Sequence, residues 1–380
     1  MSPPRKGALA LVLPVLAFAS LSLSTRDARG GSCDNPLVNA CINSDTLWPH
    51  AGPSRFVGVG GTETTAEGRV GFGLLTTYLS RPIVIHVPSP GPDGTDENAV
   101  NDQVNSNFLF AYGVTRRLEL DLVIPVTLGQ GGSGLSALTG GDDLRDTAVR
   151  DLRLGLAYAL VPRDRDDRVW ALTTRFETSA PTGDRGQFAG ERAAVFAPSI
   201  AADYRRGRWF AGAEVGLRLR PVAEFVGARV GSQALVGLGV GYDILARDRL
   251  AALLEARALP TFAEQHDDVL SSGGLRSTGN GKHIVPAEWM LSVRSAPFRG
   301  GDVALQAGGG GAIPFGDAIT APRFRFVLGI AYAPRSIDSD GDGVRDADDR
   351  CPSLAGPPAG TDPGCPEKPP APQETPGASP

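Results

Sequence analysis

Beyond residue 23 the chain lacks any apolar run long enough to cross a membrane as a helix, which takes roughly 20 residues. A helical membrane protein is thereby excluded. It also lacks a basic excess. Lys and Arg number 37 against 42 Asp and Glu, a formal charge of -5, so no electrostatic footprint for nucleic acid exists. Cysteine and histidine are scarce at four residues each, and His50, His86, His266 and His283 are scattered. That leaves no Cys/His cluster at metal-ligand spacing. No Gly-x-Ser-x-Gly elbow or other nucleophile–base constellation occurs, so no enzyme is expected. Glycine, by contrast, is abundant at 49 of 380 residues, which suits tight turns and barrels more than helices.

What is present begins with export. Arg5 and Lys6 precede an apolar run from Ala8 to Leu23, broken once at Pro14. Small residues then lead into Arg26-Asp27-Ala28-Arg29, the layout of a secretory signal over residues 1–28. The run is short for an uncleaved anchor, and Gly30-Gly31-Ser32 before Cys33 lacks the aliphatic residue of a lipoprotein site. Cys33 and Cys41 lie close in sequence, as do Cys351 and Cys365. Two local disulfides in an oxidising compartment are expected.

From about Gly68 to Tyr332 the chain alternates with period two. Leu118, Leu120, Leu122, Ile124, Val126 and Leu128 fall on one side of a strand, with Arg117, Glu119, Asp121 and Thr127 on the other. Segments beginning at Asp151, around Trp209 and at Arg323 repeat the pattern. A soluble sandwich also alternates, and connection lengths separate the two. Short connections at Thr115-Arg116, Pro162–Asp167, Arg206-Gly207, Ala246–Asp248 and Pro297–Gly301 take turns with longer ones. The longer ones are Pro88–Asn101, Gly129–Asp146, Pro181–Glu191, Pro221–Arg229, Thr261–His283 and Pro314–Ala321. That rhythm predicts an all-β fold: a closed antiparallel up-and-down transmembrane barrel of about twelve strands over residues 68–334. Lipid enforces closure, because an open sheet edge has no hydrogen-bond partner there. An even count puts both barrel ends on the short-turn, periplasmic rim.

The polar faces then line the lumen. Glu119, Asp121, Asp151, Arg153, Arg175, Glu177, Glu214, Arg218, Glu255, Arg257, Glu288, Arg294, Arg323 and Arg325 are expected to point inward. Their mixed signs favour cross-strand pairs that narrow the lumen over a single-sign selectivity ring. Trp170, Tyr204, Trp209, Tyr242, Trp289 and Tyr332 sit near strand ends, as interfacial girdles do. Residues 29–67, before the barrel, are expected to form a periplasmic segment.

After the last strand, residues 335–366 carry an acidic loop. Asp338, Asp340, Asp342 and Asp346 stand at relative positions one, three, five and nine, Gly343 at six and Asp349 at twelve. A calcium ion needs six or more oxygen ligands and a sharp turn at the sixth position. Asp338, Asp340, Asp342, Asp346 and Asp349 are the candidate ligands, with the Val344 carbonyl. Residues 367–380 form a Pro-rich tail expected to be extended or disordered.

No amphipathic helix flanks this loop. The run from Asp338 to Pro352, ending Asp349-Arg350-Cys351-Pro352, looks like a thrombospondin type 3 repeat, and barely one repeat implies that Cys351 pairs with Cys365. The chain from Cys33 to Cys365 resembles the calcium-repeat branch of outer-membrane protein A-like proteins. The resemblance rests on Asp45-Thr46-Leu47-Trp48-Pro49-His50, Val100-Asn101-Asp102-Gln103, Arg150-Asp151-Leu152-Arg153-Leu154-Gly155 and Pro181-Thr182-Gly183-Asp184-Arg185. It implies an outer-membrane barrel with a structural role in the envelope, partnered by lipid and calcium and touching peptidoglycan weakly through the tail. The alternatives are a narrow-pore transporter of small solutes and a secreted calcium-binding adhesin.

Overall fold

A computed structural model describes residues 40–366, apart from 88–94, 135, 137–142, 164–167, 226–227, 246–248, 272–273, 299–301, 314–319 and 359–361. The expected signal peptide, Cys33 and the Pro-rich tail lie outside the described residues.

Twelve antiparallel strands close into one barrel. In chain order they are β1 (Val70–Val87), β2 (Thr95–Gly113), β3 (Leu118–Gly131), β4 (Arg153–Val161), β5 (Trp170–Ser179) and β6 (Val195–Arg206). Then follow β7 (Trp209–Arg218), β8 (Gln233–Leu245), β9 (Leu250–Ala258), β10 (Ala287–Ser295), β11 (Val303–Ala312) and β12 (Phe324–Tyr332). Each pairs with its neighbours in sequence, and β1 closes the ring onto β12, from Phe72 opposite Tyr332 to Ser80 opposite Phe324. Within the longer connections, Ala223–Phe225 pairs with Ala228–Val230 and His266–Ser271 with Gly274–Gly279.

Burial runs opposite to that of a soluble protein. Leu328 is 67% exposed and Trp209 61%, whereas Glu119 is 0% and Arg325 2% exposed. Apolar side chains outside and charges inside are what a lipid-facing barrel requires. The protein is therefore placed in the outer membrane. Tyr112, Tyr158, Trp170, Tyr204, Trp209 and Tyr332 all lie exposed at strand ends toward the short-turn rim, a girdle on that side.

Three expectations change. The segment 88–101 is not all loop, because β2 begins at Thr95 and pairs with β1 out to Val87. Ala99 and Val100 pack on Ile83, Ala40 and Phe188, and that apolar cluster keeps the extension ordered. Arg323 does not enter the lumen; it precedes β12, is exposed and lies over the Phe324 ring. The third concerns residues 29–67. Their described part, from residue 40, does not stay beneath the barrel but runs through it. Inward carboxylates and guanidinium groups need partners, and this segment supplies them.

Candidate functional site

The lumen is occupied by residues 40–66. At the long-loop rim, Ala40 and Ile42 pack with Ile83, Ala99, Val100, Phe188, Ala223 and Phe225, and Ser44 Oγ donates to Gln103 at 2.7 Å. At the short-turn rim, the Ala66 N–H donates to the Pro334 carbonyl, and Thr65 bridges to Arg335. Between these ends the chain is irregular, with no strand or helix over 40–64. Its backbone polar groups therefore need partners from elsewhere. The barrel wall provides them in two tiers.

In the long-loop half, arginines take the carbonyls. Arg218 and Arg257 donate to the Thr46 carbonyl at 2.9 and 2.8 Å. Arg153 donates to that of Pro49 at 2.9 Å, and Arg150 to that of Asp45 at 3.2 Å. The Asp45 carboxylate lies 2.9 Å from Arg325 and 3.5 Å from Arg150. The Trp48 ring sits between two guanidinium groups, Arg153 at 5.0 Å and Arg218 at 4.7 Å from its centroid.

In the middle and short-turn half, carboxylates take the amides. Glu255 accepts from Val57 at 3.0 Å and Gly58 at 2.7 Å, Glu214 from Gly60 at 2.8 Å, and Glu119 from Thr65 at 2.5 Å. His50 links the tiers. Its Nδ1 lies 2.9 Å from Glu177 and its Nε2 3.4 Å from Glu214, an arrangement that the doubly protonated ring satisfies. Farther down, Arg55 pairs with Asp243 at 3.1 Å and Glu63 with Arg205 at 2.5 Å.

Below the Ala40–Ile42 cluster, apolar contact comes in small patches, Ala51 against Ala111 and Val123 among them. Leu47 and Val57 meet Leu75, Met290 and Val327. Phe56 meets Phe210, with ring centroids 5.6 Å apart, and lies over a notch at Gly212 and Gly239. A Cβ at either glycine would fall 2.6 or 2.5 Å from the Phe56 ring, so the wall must be glycine there. Two cavities beside the segment measure about 40 and 70 Å³, room for a few waters and no solute.

The four sequence stretches that carried the resemblance meet here. Asp45–His50 lies against Arg150 and Arg153, Gln103 accepts from Ser44, and Asp151 accepts from the Gly183 N–H at 2.8 Å. The expected cross-strand pairs are present, Arg175 with Asp121 at 3.4 Å and Arg257 with Glu288 at 3.0 Å among them, but the segment that shares these charges was not foreseen. Residues 40–66 carry no periodicity. The one available signal was an unusual share of glycine on inward positions of β7 and β8, where a wall packed only on itself has no use for a notch.

The acidic loop lies under the short-turn rim. Asp338, Asp340 and Asp342 present carboxylate oxygens within 4.8 Å of one another. Gly343 adopts φ +96°, the sharp turn expected at the sixth position, and Gly341 is also left-handed at φ +80°. Asp338 accepts from the Gly341 and Gly343 N–H groups, and Asp342 from Val344. Asp349 is 4% exposed, and one oxygen each of Asp349 and Asp340 is buried without a hydrogen-bond partner. Burial pushes the Asp349 carboxyl above its ordinary range, and Asp342, Asp340 and Asp346 add to the push. Asp346 is drawn partly aside, accepting from the Ser339 N–H and hydroxyl. Orphaned, mutually repelling carboxylate oxygens fit a hard cation.

Cys351 bonds to Cys365, with Cα atoms 5.1 Å apart. Cys41 is buried and disulfide-bonded, while Cys33 lies outside the described residues. The loop is tied to the barrel by Arg345, which reaches Asp302 at 3.5 Å and the Arg335 carbonyl at 3.0 Å, and by Arg69 to Asp348 at 3.1 Å.

Among solved structures, the chain is similar to the COG4313 outer membrane channel from Pseudomonas putida F1. The TM-score is 0.52 at 16% identity, over 73% of this chain and 99% of that one. Fainter likenesses are to the NanC porin (TM-score 0.40, 8% identity) and the KdgM porin (TM-score 0.37, 6% identity), each over 69% of this chain and 98% of the other. No family model matches, and no curated protein matches. The shared feature is the outer-membrane barrel fold. Nothing in these matches bears on the resemblance to outer-membrane protein A-like proteins or to the type 3 repeat.

Proposed function

We propose that this protein is an outer-membrane passage for small solutes whose lumen is closed by its own segment 40–66. The observation that carries the reading is the way the segment is held. Below the apolar anchor of Ala40 and Ile42 at the long-loop rim, it touches the wall mainly through hydrogen bonds and ion pairs, with Leu47, Ala51, Phe56, Val57 and Val59 packed in small apolar patches. A buried ion pair gains little over its hydrated parts, because desolvation offsets most of the attraction. Water entering the lumen would rehydrate wall and segment alike, so displacement exposes little apolar surface. A permanent structural filler would be expected to pack with hydrophobic side chains. The fold shared with a protein described as an outer membrane channel supports the same reading and favours it over a purely structural envelope role.

Planar-bilayer recording on the full chain tests it. Brief, infrequent openings are expected from the wild type, and long-lived openings from His50→Ala and Asp45→Asn. Silence from wild type and variants alike, with the barrels correctly folded, would overturn the proposal.

We further propose that Asp338, Asp340, Asp342, Asp346 and Asp349, with the Val344 carbonyl, hold one calcium ion. The buried, partnerless oxygens of Asp340 and Asp349 support this. Calorimetric titration of the full chain should show one calcium bound and its loss in Asp342→Ala. Equally poor binding by both would remove the site.

A further inference from the structure

The geometry points to a binding subsite for small carboxylate solutes in the long-loop half of the lumen, built from Arg150, Arg153, Arg218, Arg257 and Arg325. The chain's own Asp45–Pro49 occupies it in the closed state. The inference deepens the passage reading and rests on it.

The five side chains come from four strands and the loop before β4, and all are buried. What Asp45–Pro49 offers them is oxygen: one carboxylate and the carbonyls of residues 45, 46 and 49. Other acids face the same space. Glu288 is held by Arg257 at 3.0 Å and Arg325 at 2.8 Å. Glu177 lies 3.8 Å from Arg153 and is shared with His50. Asp151 is taken up by the Gly183 and Glu191 N–H groups, and Glu191 pairs with Arg220.

Arg218 has no carboxylate within salt-bridge distance among the described residues; its contacts are the Thr46 carbonyl and the Trp48 ring. With Asp45 removed, Arg150 loses its paired carboxylate as well. Five guanidinium groups then face Glu288 and Glu177, a surplus of positive charge. A guanidinium does not deprotonate in a protein, so this surplus must be met by an incoming anion or by water. Its planar fork matches a carboxylate in two-point contact. The segment thus stands in for the solute whose path it closes.

The test uses His50→Ala, which leaves all five arginines in place, with Gly239→Leu as a second opener acting through Phe56. Reversal potentials are recorded in a potassium chloride gradient, and citrate is added as the probe, with glucose as the neutral control. The expected result is chloride preferred over potassium on the order of tenfold. Citrate should block and glucose should not. Adding Arg150→Gln and Arg218→Gln should abolish both the preference and the block. An opened pore that prefers potassium, or that citrate leaves untouched, overturns this subsite while the passage reading stands. No conductance from either opener overturns both.

Discussion

His50 shows how a single side chain can set the closed state. Its ring reaches Glu177 and Glu214, and both carboxylates are buried. Replacing it with alanine leaves Glu214 with hydrogen bonds and no cation within salt-bridge distance among the described residues, and leaves Glu177 with Arg153 at 3.8 Å, Arg175 being a more distant cation to both. Breaking one side of a buried pair costs about 3–5 kcal/mol. A shift of that size moves the closed–open balance by two decades or more, at about 1.4 kcal/mol per tenfold. His50→Ala should therefore lengthen openings in bilayer recordings, whereas His50→Lys, which keeps a cation within reach, should open far less. Equal behaviour of the two would mean that the ring's bulk, not its charge, seats the segment. Phe56 gives an independent handle. Gly239→Leu fills the notch under its ring without altering a single charge, and openings should lengthen there too. An unchanged record would show that Phe56 adds nothing to closure.

At the scale of elements, what was legible in the sequence was what repeats. Period-two alternation along β3 separates Leu120 and Ile124, exposed to lipid, from Glu119, Asp121 and Thr127, buried inside. The rhythm of connections predicted the closed ring correctly because tight turns need few residues while long loops carry Pro and Gly. Segment 40–66 was not legible for the complementary reason. It has no period, since its backbone groups are met by wall residues scattered along the chain, Glu255 at Val57 and Gly58 and Arg153 at Pro49 among them. A partnership such as Thr46 with Arg257 spans 211 positions with nothing local to announce it. The acidic loop was legible as a pattern because its spacing is local, and the structure brings the Asp338, Asp340 and Asp342 carboxylates within 4.8 Å of one another. Gly364 carries the corresponding prediction. It sits at φ +79°, and any side chain there would collide with the Asp349 carboxylate. Gly364→Val should weaken calcium binding in the titration as much as Asp349→Asn does. Binding retained at full strength in Gly364→Val would take Asp349 out of the ligand set.

For the whole molecule, the two functions of the wall separate physically. Barrel integrity comes from the twelve-strand ladder, closed from β1 to β12, and from an apolar exterior in lipid. Closure of the path comes from polar contacts on the other face. Disturbing the segment should therefore leave the barrel standing. His50→Ala, Gly239→Leu and the wild type should all fractionate with the outer membrane and show the same boiling-dependent shift in gel mobility. A variant that lost the shift would reveal that the segment is part of the barrel's core and not a closure. The converse experiment pins the segment in place. Thr173 donates its hydroxyl to the Thr62 carbonyl at 2.7 Å, so the two positions adjoin across the wall. Cysteines introduced as Thr62→Cys and Thr173→Cys and joined by a short reducible cross-linker should abolish openings even in the His50→Ala background. Reduction of the linker should restore them. Conductance that persists through the cross-linked protein would mean solute passes beside a seated segment. The cavities of about 40 and 70 Å³ would then have to widen around it, and closure would lie in wall motion instead of segment departure.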